Sequence, residues 1–178
     1  MKKKQIILVR HAKAVERTDW TEKDFDRPLT VSGINSNRIV ANYLRLIGVK
    51  PDRIVASPSE RTRSTANDLA IQFWIDTVDY VHNLYNEDGD ENRRAMKVHL
   101  DVVHTTPENA KTLMIVGHNS DLSLFALYLS EDTVPSMKKW SVVILSLPDD
   151  LEWKDVKPWI LKFVYYLTPH FLRLEDLV

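Results

Sequence analysis

Two short stretches, Gln5-Ile6-Ile7-Leu8-Val9 and Leu113-Met114-Ile115-Val116, constrain the fold of this chain more than any others. The first is almost wholly apolar and the second entirely so. A strand with one wet face alternates apolar and polar residues, whereas a strand covered on both faces does not. Both runs are therefore expected to lie in a sheet with helices packed against each side. Each also stops abruptly at side chains of a very different kind: Arg10-His11 after the first, Gly117-His118 after the second.

The intervening segments alternate between strand and helix patterns. A polar loop over 12–29 follows strand 5–10. Thr30 is placed to cap a helix over 31–47, with Val40, Tyr43, Leu44 and Ile47 on one face and Gly48 as its stop. A short strand follows at 53–56. Ser57-Pro58-Ser59-Glu60 has the spacing of a capping box with proline at the first helical position. Beyond it, Ala66, Leu69, Ala70 and Phe73 recur at helical spacing. Residues 78–84 suggest an edge strand or extended segment, and the acidic turn Glu87-Asp88-Gly89-Asp90 precedes a helix near 91–104. A helix near 120–129 carries Leu122, Phe125, Ala126 and Leu129 on one face. Two late strands, 140–147 and 160–167, have no helix between them and are expected to pair antiparallel. The chain is thus expected to form a single domain over 1–178, an α/β three-layer sandwich with a mostly parallel central sheet.

In such sheets ligand sites lie beyond the strands' C-terminal ends. If the two apolar strands are parallel neighbours, Arg10, His11 and His118 emerge at the same edge. Arginine offers a planar, permanent cation that matches a phosphate fork. Histidine offers a nitrogen nucleophile that is largely neutral near pH 7. Gly117 lets backbone come close to whatever lies there. Arg61 falls in the first turn of a helix, where a cation opposes the helix dipole. An arginine facing an anion at that terminus has a reason to be there. Arg63 is its competitor but lies about 200° around the helix, so only one of the two can face the site.

Composition removes several classes. Net charge is −1, so the chain as a whole is no electrostatic match for nucleic acid. Lys2-Lys3-Lys4 is taken as a solvated tail. No signal-peptide pattern or membrane-length apolar stretch is present, so a cytoplasmic protein is expected, without membrane association. Cysteine is absent, which excludes disulfides, thiolate metal sites and a cysteine nucleophile. Asp88-Gly89-Asp90 does not complete a calcium loop. His99 and His104 miss the i, i+4 metal spacing, and His82 and His170 have no partners in sequence. No Walker A motif or nucleophile elbow occurs. Neither metal nor cofactor is expected. Trp20, Trp74, Trp140, Trp153 and Trp159 are expected to be packing residues, since no basic stripe accompanies them.

Leu8-Val9-Arg10-His11-Ala12-Lys13-Ala14 resembles the opening motif of the histidine phosphatase superfamily, the clan of the cofactor-dependent phosphoglycerate mutases. Alanine at position 12, where most members have glycine, is similar to the small bacterial phosphohistidine phosphatase branch of the SixA type. Asp26-Arg27-Pro28-Leu29-Thr30 with Gly33 resembles that branch's second block. The third is matched by Ala56-Ser57-Pro58 followed by Arg61 and Ser64-Thr65-Ala66, and the fourth by Val116-Gly117-His118-Asn119. The four blocks occur in the right order over most of the chain.

The resemblance implies a phosphoglycerate mutase-like fold and a role for each matched residue. His11 would be the transiently phosphorylated nucleophile, Arg10 and Arg61 would hold the phosphoryl oxygens, and His118 would add a donor, neutral or cationic. The expected enzyme is a metal-independent phosphatase acting on protein phosphohistidine, such as a phosphorelay histidine. The alternatives are a small-molecule phosphomonoesterase of the same superfamily and a non-catalytic phosphate-binding regulatory module. The chain departs from the family at Ala12, at Ser64, where many members have glutamine, and in lacking an obvious general acid. Glu87 stands nearest the expected region. Without an acid, a nitrogen-linked phosphate should be favoured over an alkyl ester, whose leaving oxygen needs a proton.

Overall fold

The computed structural model describes residues 3–85 and 92–168, and of residues 92–95 the backbone only. Its strands are β1 (Gln5–Arg10), β2 (Arg53–Ala56), β3 (Asp79–Tyr80), β4 (Thr112–Gly117), β5 (Val142–Ser146) and β6 (Lys162–Leu167). Its α-helices are α1 (Val31–Leu46), α2 (Glu60–Phe73), α3 (Asn92–His104) and α4 (Asp121–Leu129). One six-stranded sheet runs in the order β3-β2-β4-β1-β5-β6. β1 to β4 are mutually parallel, and β5 and β6 close the sheet with antiparallel pairings.

The two apolar runs are the central strands β4 and β1, and the period of two sorts their side chains between two cores. Ile7 and Val9 pack with Val40 and Leu44 of α1 and with Leu69 and Phe73 of α2. Ile6 and Leu8 pack with Val103 of α3 and with Leu122, Phe125 and Leu129 of α4. These side chains are almost fully buried, each contributing about 1.5–3 kcal/mol of transfer free energy. The parallel register sets Arg10 beside Gly117 and Ala56 beside Val116. Three strand ends therefore coincide, and the chain leaves them at His11, Ser57 and His118. Among the described residues no helix is long and apolar enough to cross a membrane.

Thr30 caps α1, its hydroxyl accepting from Gly33 N–H at 3.1 Å. The same turn clamps the loop after His11. Thr30 donates to the Lys13 carbonyl through both N–H (2.9 Å) and hydroxyl (3.1 Å). A Cβ on Gly33 would lie 2.2 Å from that carbonyl oxygen. Glycine is therefore required by close approach. Gly33→Ala should cost about 1–3 kcal/mol of stability, read by urea unfolding. Tolerance of the methyl without loss would show that the clamp yields freely.

Four expectations are corrected. α2 begins at Glu60 with Ser59 in the cap position, so Ser57-Pro58 lies outside the helix. The Ser57 hydroxyl turns to His118 instead of capping. Ile47 lies beyond the last residue of α1 and is 42% exposed, because the helix ends before that face returns to the core. Lys4 is no solvated tail: its ammonium meets Glu108 at 2.5 Å and sits over the Trp153 ring. Trp140 and Trp153 are buried, but Trp74 and Trp159 are largely exposed and pack into neither core.

Candidate active site

Arg10, His11, Arg61 and His118 line one pocket of about 480 Å³ at the C-terminal edge of the sheet. His11 follows β1, His118 follows β4, and Arg61 reaches in from the first turn of α2. Arg63 lies elsewhere, over the Tyr80 ring. The ring centroids of His11 and His118 are 5.4 Å apart.

The His11 ring is oriented by the adjacent backbone. Its Nδ1 lies 2.8 Å from the Ala12 carbonyl oxygen, which can only accept. Nδ1 therefore carries the proton, leaving the lone pair on Nε2. Burial, aided by Arg61, Arg10 and Arg27, pushes the imidazole pKa down to about 3, so the ring is neutral near pH 7. The loop is held at Ala12, whose N–H donates to Thr65 Oγ1 at 3.1 Å. Ala12 is fully buried and does not take a left-handed conformation, so alanine fits there without strain.

Arg10 Nη1 donates to the Met137 carbonyl at 2.9 Å, and the Arg61 guanidinium donates to Asp24. The Nε of each arginine is buried and has no hydrogen-bond partner among the described residues. Unmatched donors on buried cations are costly, and an anion beside the two guanidiniums would offset part of the cost of burying their charge. Burial lowers both guanidinium pKa values, but arginine stays charged. His118 Nε2 lies 2.9 Å from Ser57 Oγ and 3.4 Å from Ser59 Oγ. Burial first, then His11 and Arg61, hold it well below the usual histidine range. Burial therefore favours the neutral form of the second imidazole over a cation.

Residues 6–86 match the family model described as histidine phosphatase superfamily (branch 1). That match covers the first, second and third of the motif blocks and is a likeness to the superfamily over that part of the chain. An uncharacterised protein from Picosynechococcus sp. is 39% identical over 66 residues, which is 37% of this chain and 39% of that protein. The match thus spans well under two thirds of that relative's own length. The solved structure of the protein histidine phosphatase SixA complexed with tungstate superposes with a TM-score of 0.76. It is 18% identical, over 95% of this chain and 99% of that one. Mycobacterial glucosyl-3-phosphoglycerate phosphatase gives a TM-score of 0.64 at 14% identity, over 90% of this chain and 96% of that one. At these identities the likeness is one of fold, the phosphoglycerate mutase-like fold.

Sequence reasoning missed Asp24 and Tyr85. Asp24 accepts from Arg61 twice, at its carbonyl (2.6 Å) and at Oδ2 (2.8 Å), and from Arg27 Nε at 2.9 Å. Tyr85 donates to the same Oδ2 at 3.2 Å, and its ring lies near both Arg61 and His118. Burial alone would raise the Asp24 pKa, but Arg61 and Arg27 outweigh it and hold the carboxyl below its usual range. The loop also carries Glu16, Asp19, Glu22 and Asp26, and no local pattern shows which acid folds inward. Glu87, the acid considered from sequence, lies outside the described residues. Among the described residues no group of three histidines or carboxylates stands close enough to hold a metal ion.

The two depressed histidines set a pH dependence. The unfolded chain takes up protons near pH 6.5 that the folded chain refuses. Their contribution is therefore complete above about pH 6.5 and declines on acidification, for His11 down to about pH 3. The slope is about 1.4 kcal/mol per pH unit for each histidine. Urea unfolding at pH 5 and pH 7 should show this loss, and His11→Asn should make it shallower by about one proton. An unchanged slope in that variant would contradict the burial argument.

Proposed function

We propose that this chain is a phosphatase acting through phospho-His11, with protein phosphohistidine as its principal substrate. One observation carries the reading: neutral His11, with its lone pair on Nε2, shares a pocket with two arginines whose buried Nε donors lack partners. A phosphoryl group in that pocket lies against both guanidiniums, planar cations that match its oxygens. Its three equatorial oxygens then lie among two guanidiniums and the His118 imidazole, the arrangement that stabilises charge during transfer. His11 Nε2 attacks phosphorus and the leaving group departs. Water then displaces His11 from the phosphoenzyme.

The substrate class is supported by chemistry and by the pocket rim. A phosphoramidate bond is weaker than an ester, and its leaving nitrogen accepts a proton readily. The rim carries both signs of charge, Glu16 paired with Lys139 at 2.6 Å and Arg17 nearby, which suits the surface of a phosphorylated protein. The whole of 1–178 is read as one catalytic unit needing no metal, because the arginines already neutralise phosphate charge. The second reading is a small phosphate ester, since the pocket of about 480 Å³ has room for one.

Because its P–N bond is the weaker one, a phosphohistidine peptide should turn over at least about tenfold faster than a sugar phosphate. Equal rates would favour the small-ester reading. Thorough chelation should leave the rate unchanged, and a loss restored by Mg²⁺ or Zn²⁺ would overturn metal independence.

A further inference from the structure

We infer that Asp121 is the proton donor to the leaving atom, oxygen or nitrogen, in the transfer to His11. The inference rests on the phosphatase reading and names the acid that the sequence did not show. Among the described residues three carboxyl groups line the pocket: Glu16, Asp24 and Asp121. Glu16 is bonded to Lys139, and Asp24 accepts from two arginines and a tyrosine. Both are held ionised, with no proton to give.

Asp121 differs in each respect. It stands in the first turn of α4, three residues beyond His118, and is half-buried on the pocket wall. Among the described residues no donor hydrogen-bonds its carboxyl group, and it forms no ion pair. The N-cap position belongs to Ser120, so Asp121 does not close the helix end either. An acid in the first helical turn ordinarily gains as the anion. Here burial outweighs that preference and the attraction of the buried His99, so the carboxyl pKa is raised. Among the described residues, geometry and protonation therefore agree on one available acid.

The step balances without another reactant. His11 Nε2 forms the P–N bond as the bond from phosphorus to the leaving atom breaks. The Asp121 carboxyl proton passes to that atom or, for phosphohistidine, to its imidazole. The donor becomes a carboxylate. Water then attacks phosphorus, the P–N bond breaks, and the proton released by water returns to Asp121. An imidazole expelled without a proton would leave as an anion, so a phosphohistidine benefits from such a donor as an ester does. Asp121 thus removes the premise that the site lacks an acid.

The test is Asp121→Asn on 2,4-dinitrophenyl phosphate, phenyl phosphate and phosphoimidazole, with Tm recorded and phospho-His11 trapped by rapid acid-free quench. The dinitrophenolate leaves without help, so its rate should change less than about threefold. Phenyl phosphate and phosphoimidazole should slow by roughly 10²–10⁴-fold. Asp121→Glu should recover part of that loss. An equal fall on all three substrates, or no fall on any, overturns the assignment while leaving phospho-His11 intact. Failure of the unaltered protein to form phospho-His11 from dinitrophenyl phosphate overturns the phosphatase reading itself, and this inference with it.

Discussion

His11→Ala is expected to lower turnover by at least about 10⁴-fold and to abolish the acid-labile phosphoenzyme. Nothing nearby can replace the lost nucleophile. Cysteine is absent, and His118 has its Nε2 against the Ser57 and Ser59 hydroxyls. His104 is tied to the Val156 carbonyl at 2.8 Å, outside the pocket. The fold should survive, because the His11 side chain makes one hydrogen bond, to the adjacent Ala12 carbonyl. Mass spectrometry of quenched protein is the check, since phosphate found on another residue would remove His11 from its role. Circular dichroism and Tm separate loss of chemistry from loss of structure.

The legible parts of this protein are those whose cause is local. β1 and β4 were readable because a strand buried on both faces must be apolar throughout. α1 was readable because Thr30 caps it and Gly48 ends it at a left-handed φ of 79°. Arg10, His11 and His118 were readable because parallel strands bring their ends to one edge, and Arg61 because it opposes a helix dipole without local reward. What could not be read depends on the chain folding back. Asp24 is one of several acids in a polar loop, and its selection comes from Arg61, thirty-seven residues away. Asp121 looks in sequence like an ordinary acid at a helix start. Its burial and its lack of a donor among the described residues emerge only in the pocket. The start of α2 was misplaced because a serine-proline pair offers a cap by local rules. Ser57 instead has a longer-range partner in His118.

Arg61→Ala should lower kcat/KM by about 10²–10³-fold, the usual cost of one preorganised donor facing developing charge. The change also strands Asp24, whose carboxylate loses the guanidinium bonded to Oδ2 and keeps Arg27 and Tyr85. An anion then faces the phosphate. If Asp24 serves to hold Arg61, Asp24→Asn alone should reduce kcat/KM by loosening that arginine. The same change made on top of Arg61→Ala should restore activity, because it removes a repulsion and has no arginine left to loosen. The double variant should therefore exceed Arg61→Ala by roughly tenfold, within the 0.5–3 kcal/mol expected for residues in contact. A double variant whose loss equals the product of the two single losses would show that the residues act independently. Asp24 would then be a surface charge that happens to touch Arg61. Phosphate inhibition supplies a readout free of the chemical step. Its weakening in Arg61→Ala and partial return in the double variant should follow the same order, since the repulsion acts on any bound phosphate and not only on the transition state.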